Sequence, residues 1–159
     1  MEKEKSNNED DLINWDLVDN KIKSFSLDGE IKKGKCVNVY DGDTIKVVFP
    51  IHNKLYRWNC RLLGVDTPEI RTKNKVEKKM GYKVRDKLRE KILNKMIFIK
   101  CNEFDKYGRL LAEVYLENEF HIGGGNNALN TSVNKWLIDN EYAFEYNGGK
   151  KKGWHFLKE

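Results

Sequence analysis

Apolar residues alternate with polar ones through the first half of this chain and recur every fourth position after it, which divides it into a β-rich part and a helix. Phe25 to Lys32 contains an Asp28-Gly29 turn signal, and Lys35 to Tyr40 alternates as a strand does. Asp41-Gly42 is a tight corner entering a strong β segment, Thr44 to Phe49, and Pro50 to Asn53 reads as the next turn. Leu55 to Val65 is expected to be one long strand, stopped by Pro68, which lacks a ladder donor and holds Thr67 extended. Met80, Val84, Leu88 and Ile92, with Leu93 beside them, then form the stripe of a helix on a core, and Asn94 ends it. Met96 to Cys101 and Leu110 to Leu116 are two further strands. Thr131 or Ser132 caps a last helix with Val133, Trp136 and Leu137 facing inward.

Charge changes this picture at the start of the chain. Residues 1–20 hold seven acids against two lysines, a net −5, while the whole chain is +5 and the remainder therefore +10. We expect an acidic, largely disordered head over residues 1–24 and a basic domain over 25–159. A basic body attracts polyanions, nucleic acid first among them, and the head is expected to contact that basic surface or another protein. With 159 residues, 39% hydrophobic and 35% charged, there is room for one domain with a real core. No apolar run approaches the length of a membrane span. The first thirty residues lack the apolar stretch of a secretory signal, which gives an intracellular location as the expectation for the chain as it stands. Cys36, Cys60 and Cys101 are odd in number and lack metal-type spacing, so they read as reduced, buried small hydrophobes. His52, His121 and His155 have no partner at ligand spacing.

Candidate chemistry collects at strand ends. In Cys60-Arg-Leu-Leu-Gly-Val-Asp-Thr-Pro-Glu69 a cation and two acids flank an apolar run, and such charges are costly unless paired, so Arg61 and Asp66 are expected to face one polar site. A plain internal ion pair is the alternative. Asp43 stands where a strand begins, and Arg109 stands at the mouth of another, behind the glycine of Asp105-Lys-Tyr-Gly-Arg109. Carboxylates are hard oxygen ligands for Ca²⁺ or Mg²⁺, and arginines bind phosphate in bidentate fashion. Together they suit cleavage of a phosphodiester.

These motifs resemble, in order and spacing, those of the staphylococcal nuclease (thermonuclease) family: Asp41-Gly-Asp-Thr44, Arg61 to Glu69, Val76-Glu-Lys78 with nearby Gly81, and Asp105 to Arg109. The resemblance covers about residues 35–147. It implies an α+β, mainly β, fold: a five-stranded OB-type barrel with two to three packed helices. It further implies calcium held by Asp43, Asp66 and the backbone carbonyl of Thr67, catalysis by Glu69, Arg61 and Arg109, and nucleotide contacts from Lys106 and Tyr107. Tyr142, Phe144 and Tyr146 fall where the family supplies base-stacking tyrosines, Tyr146 being the candidate for substrate. The expected activity is calcium-dependent cleavage of DNA or RNA leaving 3′-phosphates, by a monomer. A non-catalytic OB-type module that binds nucleic acid or protein is the competing expectation, although clustered acids would weaken phosphate binding without a metal. The chain departs from the family in its acidic head, in the longer Glu117 to Asn130 connection, and in the short stretch after Gly148-Gly-Lys-Lys-Lys-Gly153.

Overall fold

The structure, a computed structural model, describes residues 9–120, 131–151, 153 and 154. Its centre is a closed barrel with strand order β1-β2-β3-β6-β5, where β1 is Ile31–Val39, β2 Thr44–Ile51, β3 Lys54–Leu62, β5 Met96–Phe104 and β6 Leu110–Leu116. All neighbours are antiparallel except β3 and β6, which run parallel with Arg61 level with Leu111. One face of each strand fills the interior, so Cys36, Val39, Ile45, Val47, Phe49, Ile97, Ile99, Ala112 and Val114 are buried. Cys36, Cys60 and Cys101 are free thiols within it, and burial pushes them up to about 11, 12 and 11.

Two strand readings are corrected. Pro50 lies within β2, opposite Leu55, beyond the Lys35–Val48 step where pairing with β1 ends, so its missing N–H breaks no ladder. The turn is only His52-Asn53, both left-handed (φ 47° and 64°), as a two-residue hairpin turn of twisted strands requires. The expected long strand through Val65 is broken at Leu63-Gly64, where Gly64 takes φ +78° and Leu63 turns outward. The chain resumes as β4, Val65–Asp66, which leaves the barrel to pair with β7, Phe144–Glu145.

Helix α1, Lys75–Ile92, begins where the Asn74 side chain accepts the N–H groups of Val76 and Glu77, and Asn94 (φ 62°) follows its end. Its buried face is Glu77, Gly81, Val84, Leu88 and Ile92. Helix α2, Val133–Asp139, is capped by Ser132, which accepts the N–H of Lys135. Val133 and Leu137 are buried as expected, while Trp136 is half-buried and packs on Tyr142. Between them Asn134 donates to the carbonyls of Leu63 (2.8 Å) and Ala112 (3.0 Å) and accepts from Val114 N (3.0 Å), tying α2 to the end of β3 and to β6. Of the head, residues 9–24 are exposed, with short 3₁₀ turns at Glu9–Leu12 and Trp15–Leu17. His121, His155 and the Gly123 to Asn127 run lie outside the described residues. No described helix is long and apolar enough to cross a membrane.

Gly81 lets α1 approach the Pro68-Glu69 corner. A Cβ there would stand 2.9 Å from the Pro68 carbonyl oxygen and 3.1 Å from the backbone carbon and oxygen of Glu69. Gly→Ala in a helix ordinarily gains up to ~1 kcal/mol. At position 81 we expect the opposite, a loss of about 1–3 kcal/mol in urea unfolding, because backbone must move to make room.

Candidate active site

One cavity of about 940 Å³ opens where β2 begins, β3 ends and the β5–β6 loop turns. Asp43, Arg61, Glu69, Lys106, Tyr107, Arg109 and Tyr146, far apart in the chain, all line it. The barrel explains their meeting. Pairing of Thr44 with Arg61 sets the guanidinium beside Asp43, and the parallel pairing of β3 with β6 brings Arg109 to the same rim.

Arg61 is 8% exposed. Its Nη1 donates to Leu62 O (2.6 Å), and its Nη2 donates to Val65 O (2.8 Å) and lies 3.3 Å from Asp43 Oδ2. The pairing expected with Asp66 is therefore made with Asp43, because the Gly64 turn carries Asp66 away toward β7. Asp43 Oδ2 also accepts from Thr67 Oγ1 (3.1 Å), and Oδ1 from Thr44 Oγ1 (3.1 Å). Arg109 is held differently: Asp105 takes its Nε (2.8 Å) and its backbone N–H (2.9 Å), while the Arg109 guanidinium carbon sits 5.5 Å from the Tyr107 ring. Tyr107 is well exposed, with the Lys106 ammonium 5.1 Å over its ring. Of the three candidate aromatics, Tyr142 packs on Trp136 and Phe144 stacks on Trp154 (4.4 Å), leaving Tyr146 at the cavity with its hydroxyl donating to Gly149 O.

Three further residues belong to this site, none of which sequence reasoning assigned to it. Asp41, read as turn, caps the N–H groups of Asp43 and Thr44 and lines the cavity; burial first, then the charges of Asp43 and Glu69, push its carboxyl up to about 6. Glu77 accepts from Glu69 N (3.1 Å) and Thr72 Oγ1 (3.2 Å), clamping the corner that carries Glu69. Lys151 stands between Asp66 Oδ1 (3.4 Å) and Glu69 Oε1 (3.3 Å). Burial works against its charge, but the carboxylates of Asp43, Asp66 and Glu69 outweigh that and raise it above the ordinary lysine value. Asp41 carried a signal in its second-acid spacing, Asp-x-Asp. Lys151 carried none, being the middle of three adjacent lysines.

Among the described residues no three His, Cys, Asp or Glu side chains come together tightly enough to hold a metal ion by themselves. One buried acid is nevertheless left with an unmet oxygen. Asp66 is 3% exposed, yet its Oδ2 has no hydrogen-bond partner among the described residues, and a buried carboxylate oxygen left so is suited to a cation.

Comparison with known proteins follows the same residues. The profile described as Staphylococcal nuclease homologue matches residues 59–156. The chain belongs to the staphylococcal nuclease family. The match takes in Arg61, Asp66, Glu69, Arg109, Tyr146 and Lys151, and begins after Asp41 and Asp43, which β2 nevertheless delivers to the same cavity. The chain is 34% identical over 147 residues to Uncharacterized protein MJ1439 of Methanocaldococcus jannaschii, covering 80% of this chain and 65% of that protein. It is 32% identical over 121 residues to Endonuclease YncB of Bacillus subtilis (71% of this chain, 52% of YncB), and 34% over 87 residues to the Thermonuclease of Staphylococcus hyicus (54% and 49%). It thus spans between about half and two thirds of the length of these relatives.

Two tests follow from this geometry. Arg61→Ala should cost about 3–5 kcal/mol in chelator, since it strands a buried Asp43 and two carbonyls, and thermal unfolding would show it. Asp105 is held below the usual carboxylate value; burial opposes this, but the Arg109 backbone and side chain and the Tyr107 N–H outweigh it. A lowered folded value stabilises above the unfolded value of about 4 and is lost as pH falls below it. Asp105→Asn should therefore flatten the acid-side fall of the thermal midpoint.

Proposed function

We propose that this chain is a calcium-dependent nuclease that hydrolyses phosphodiester bonds of DNA or RNA to leave 3′-phosphates. The observation that carries the reading is the shared cavity, which sets two arginines, Arg61 and Arg109, against the acids Asp41, Asp43 and Glu69. Attack on phosphorus builds charge on the non-bridging oxygens, and preorganised guanidinium groups stabilise that charge more in the transition state than in the substrate. Arg109 suits this role because Asp105 engages its Nε, and no hydrogen bond to either terminal nitrogen is seen among the described residues. Glu69, half exposed at the cavity, would orient or deprotonate the attacking water. Lys106, Tyr107 and Tyr146 would lie along the nucleotide. Calcium would be held by Asp43, Asp66 and the Thr67 carbonyl, with water and substrate oxygens completing its shell, and would add Lewis-acid charge at the phosphate.

A binding module without catalysis is the rival reading, and the ion pair of Lys151 with Asp66 and Glu69 is what favours it. Plasmid DNA, single-stranded DNA and RNA incubated with Ca²⁺ or with chelator decide between them. Cleavage in Ca²⁺ alone supports the enzyme; intact substrate in every condition leaves the module.

Arg109→Ala should lower turnover by several powers of ten, on the order of 4 kcal/mol, with little change in thermal midpoint. Glu69→Gln should slow the reaction while calcium affinity, read by calorimetry, stays near the parent value. Lys151→Met is expected to act on the metal instead. It removes a cation that competes for Asp66, so calcium should bind tighter by about 1–2 kcal/mol, and unchanged calorimetric affinity would refute the competition.

A further inference from the structure

We propose that the chain carries a second nucleic-acid subsite, a basic groove that holds the phosphodiester backbone of a strand as it leaves the catalytic cavity. The groove, about 610 Å³, is lined by Tyr40 and Ile70, the immediate chain neighbours of Asp41 and Glu69, which line that cavity. Tyr40, Arg71, Lys73, Lys78, Tyr82 and Arg85 line it, and among the described residues no carboxylate does. A basic helix face is ordinarily a solvated surface, and most of α1's lysines are that. The groove differs in three respects.

First, three of its cations are not neutralised by any described acid. Arg71, Lys73 and Lys78 have no ion pair with any described acid, and an uncompensated set of that size in a concave site is an electrostatic trap for polyanions. Arg85 is spent on Asp86 (2.8 Å), and Arg89 on the Val39 carbonyl through Nε and Nη2, which ties α1 to β1. These two shape the floor. Second, aromatic faces are interleaved with the guanidinium groups. The Arg71 Cζ lies 5.6 Å over Tyr40 and the Arg85 Cζ 4.6 Å over Tyr82, and both rings are about 40% exposed (43% and 38%), the composition of a surface that holds unstacked bases as well as phosphates. Third, the loop that presents Arg71 and Lys73 is fixed. Thr72 Oγ1 donates to Glu77 and accepts from Asn74 N, and Glu77 also takes the N–H of Glu69. The same clamp therefore sets the register between Glu69 and the groove, and less ordering is left to be done on binding.

The direction of the strand through the cavity rests on the nuclease reading; the groove's affinity for backbone does not. The test is fluorescence anisotropy of the full chain in chelator with a labelled long single-stranded DNA, the matching RNA, and a dinucleotide, over a salt series. The variant Arg71→Glu/Lys73→Glu/Lys78→Glu should bind both long strands at least tenfold more weakly at low salt, with its log-log salt slope shallower by about 2, at roughly 0.7 per lost phosphate contact. Its dinucleotide affinity and thermal midpoint should match the parent. Lys54→Glu/Arg57→Glu/Lys100→Glu, exposed on the barrel away from the groove, carries the same charge change and should weaken long strands far less. Equal losses in the two variants, or an unchanged slope in the first, would overturn the groove. Loss in the first variant alone, in a protein that cleaves nothing in Ca²⁺, would keep the groove and remove the nuclease.

Discussion

The carboxylate of Asp43 is the point on which this structure turns. One oxygen takes the Arg61 guanidinium and the Thr67 hydroxyl, the other the Thr44 hydroxyl, so three chain segments converge on a single buried charge. A buried ion pair is stabilising only when its remaining valences are met, and here carbonyls of Leu62 and Val65 meet those of Arg61. The barrel could close without this knot. The corner that carries Asp66, Thr67 and Glu69 would still be held to α1 through Glu77 and to Arg61 through the Val65 carbonyl, but it would lose the Thr67 tie that sets its spacing from Asp43.

Much of this was legible in the chain because periodicity reports what an element buries. Val84, Leu88 and Ile92 announced α1, and the alternation of β1 and β2 announced the barrel wall. What escaped was set by partners remote in sequence. Leu62-Leu63-Gly64-Val65 reads as continuous strand, and only the competing claim of β7 on Val65 and Asp66 shows why Gly64 turns. Arg61 sits five residues from Asp66 and eighteen from Asp43, yet strand register outranks nearness along the chain. Pro50 looked like a turn because local rules know nothing of where a neighbouring strand stops.

The candidate site shows the same division. Asp43, Arg61, Glu69 and Arg109, singled out by their types and order, line one cavity. Glu77 stood inside the Val76-Glu-Lys78 motif, yet its hold on Glu69 N could not be read there, and Asn134, bonded to the backbone of Leu63, Ala112 and Val114, does a job that many polar residues could hold. Lys151 owes its position to anchors on either side: Tyr146 N bonded to Gly64 O before it, and Trp154 stacked on Phe144 after it. Left-handed Gly148 and Gly149 permit the loop between them.

The β4–β7 ladder also makes the site depend on a part of the chain that lies beyond the last barrel strand. Every barrel strand has been made once Leu116 is added, but the partner of β4 arrives only with Phe144 and the lysine over the acids only with residue 151. The strand pairing of the barrel is thus contained in the chain up to Leu116, but its interior is completed by Val133, Leu137 and Ala143, and its acids are covered later still. The last segment works as a clasp: it adds no described strand to the barrel, yet it sets the arrangement of charges over Asp66 and Glu69.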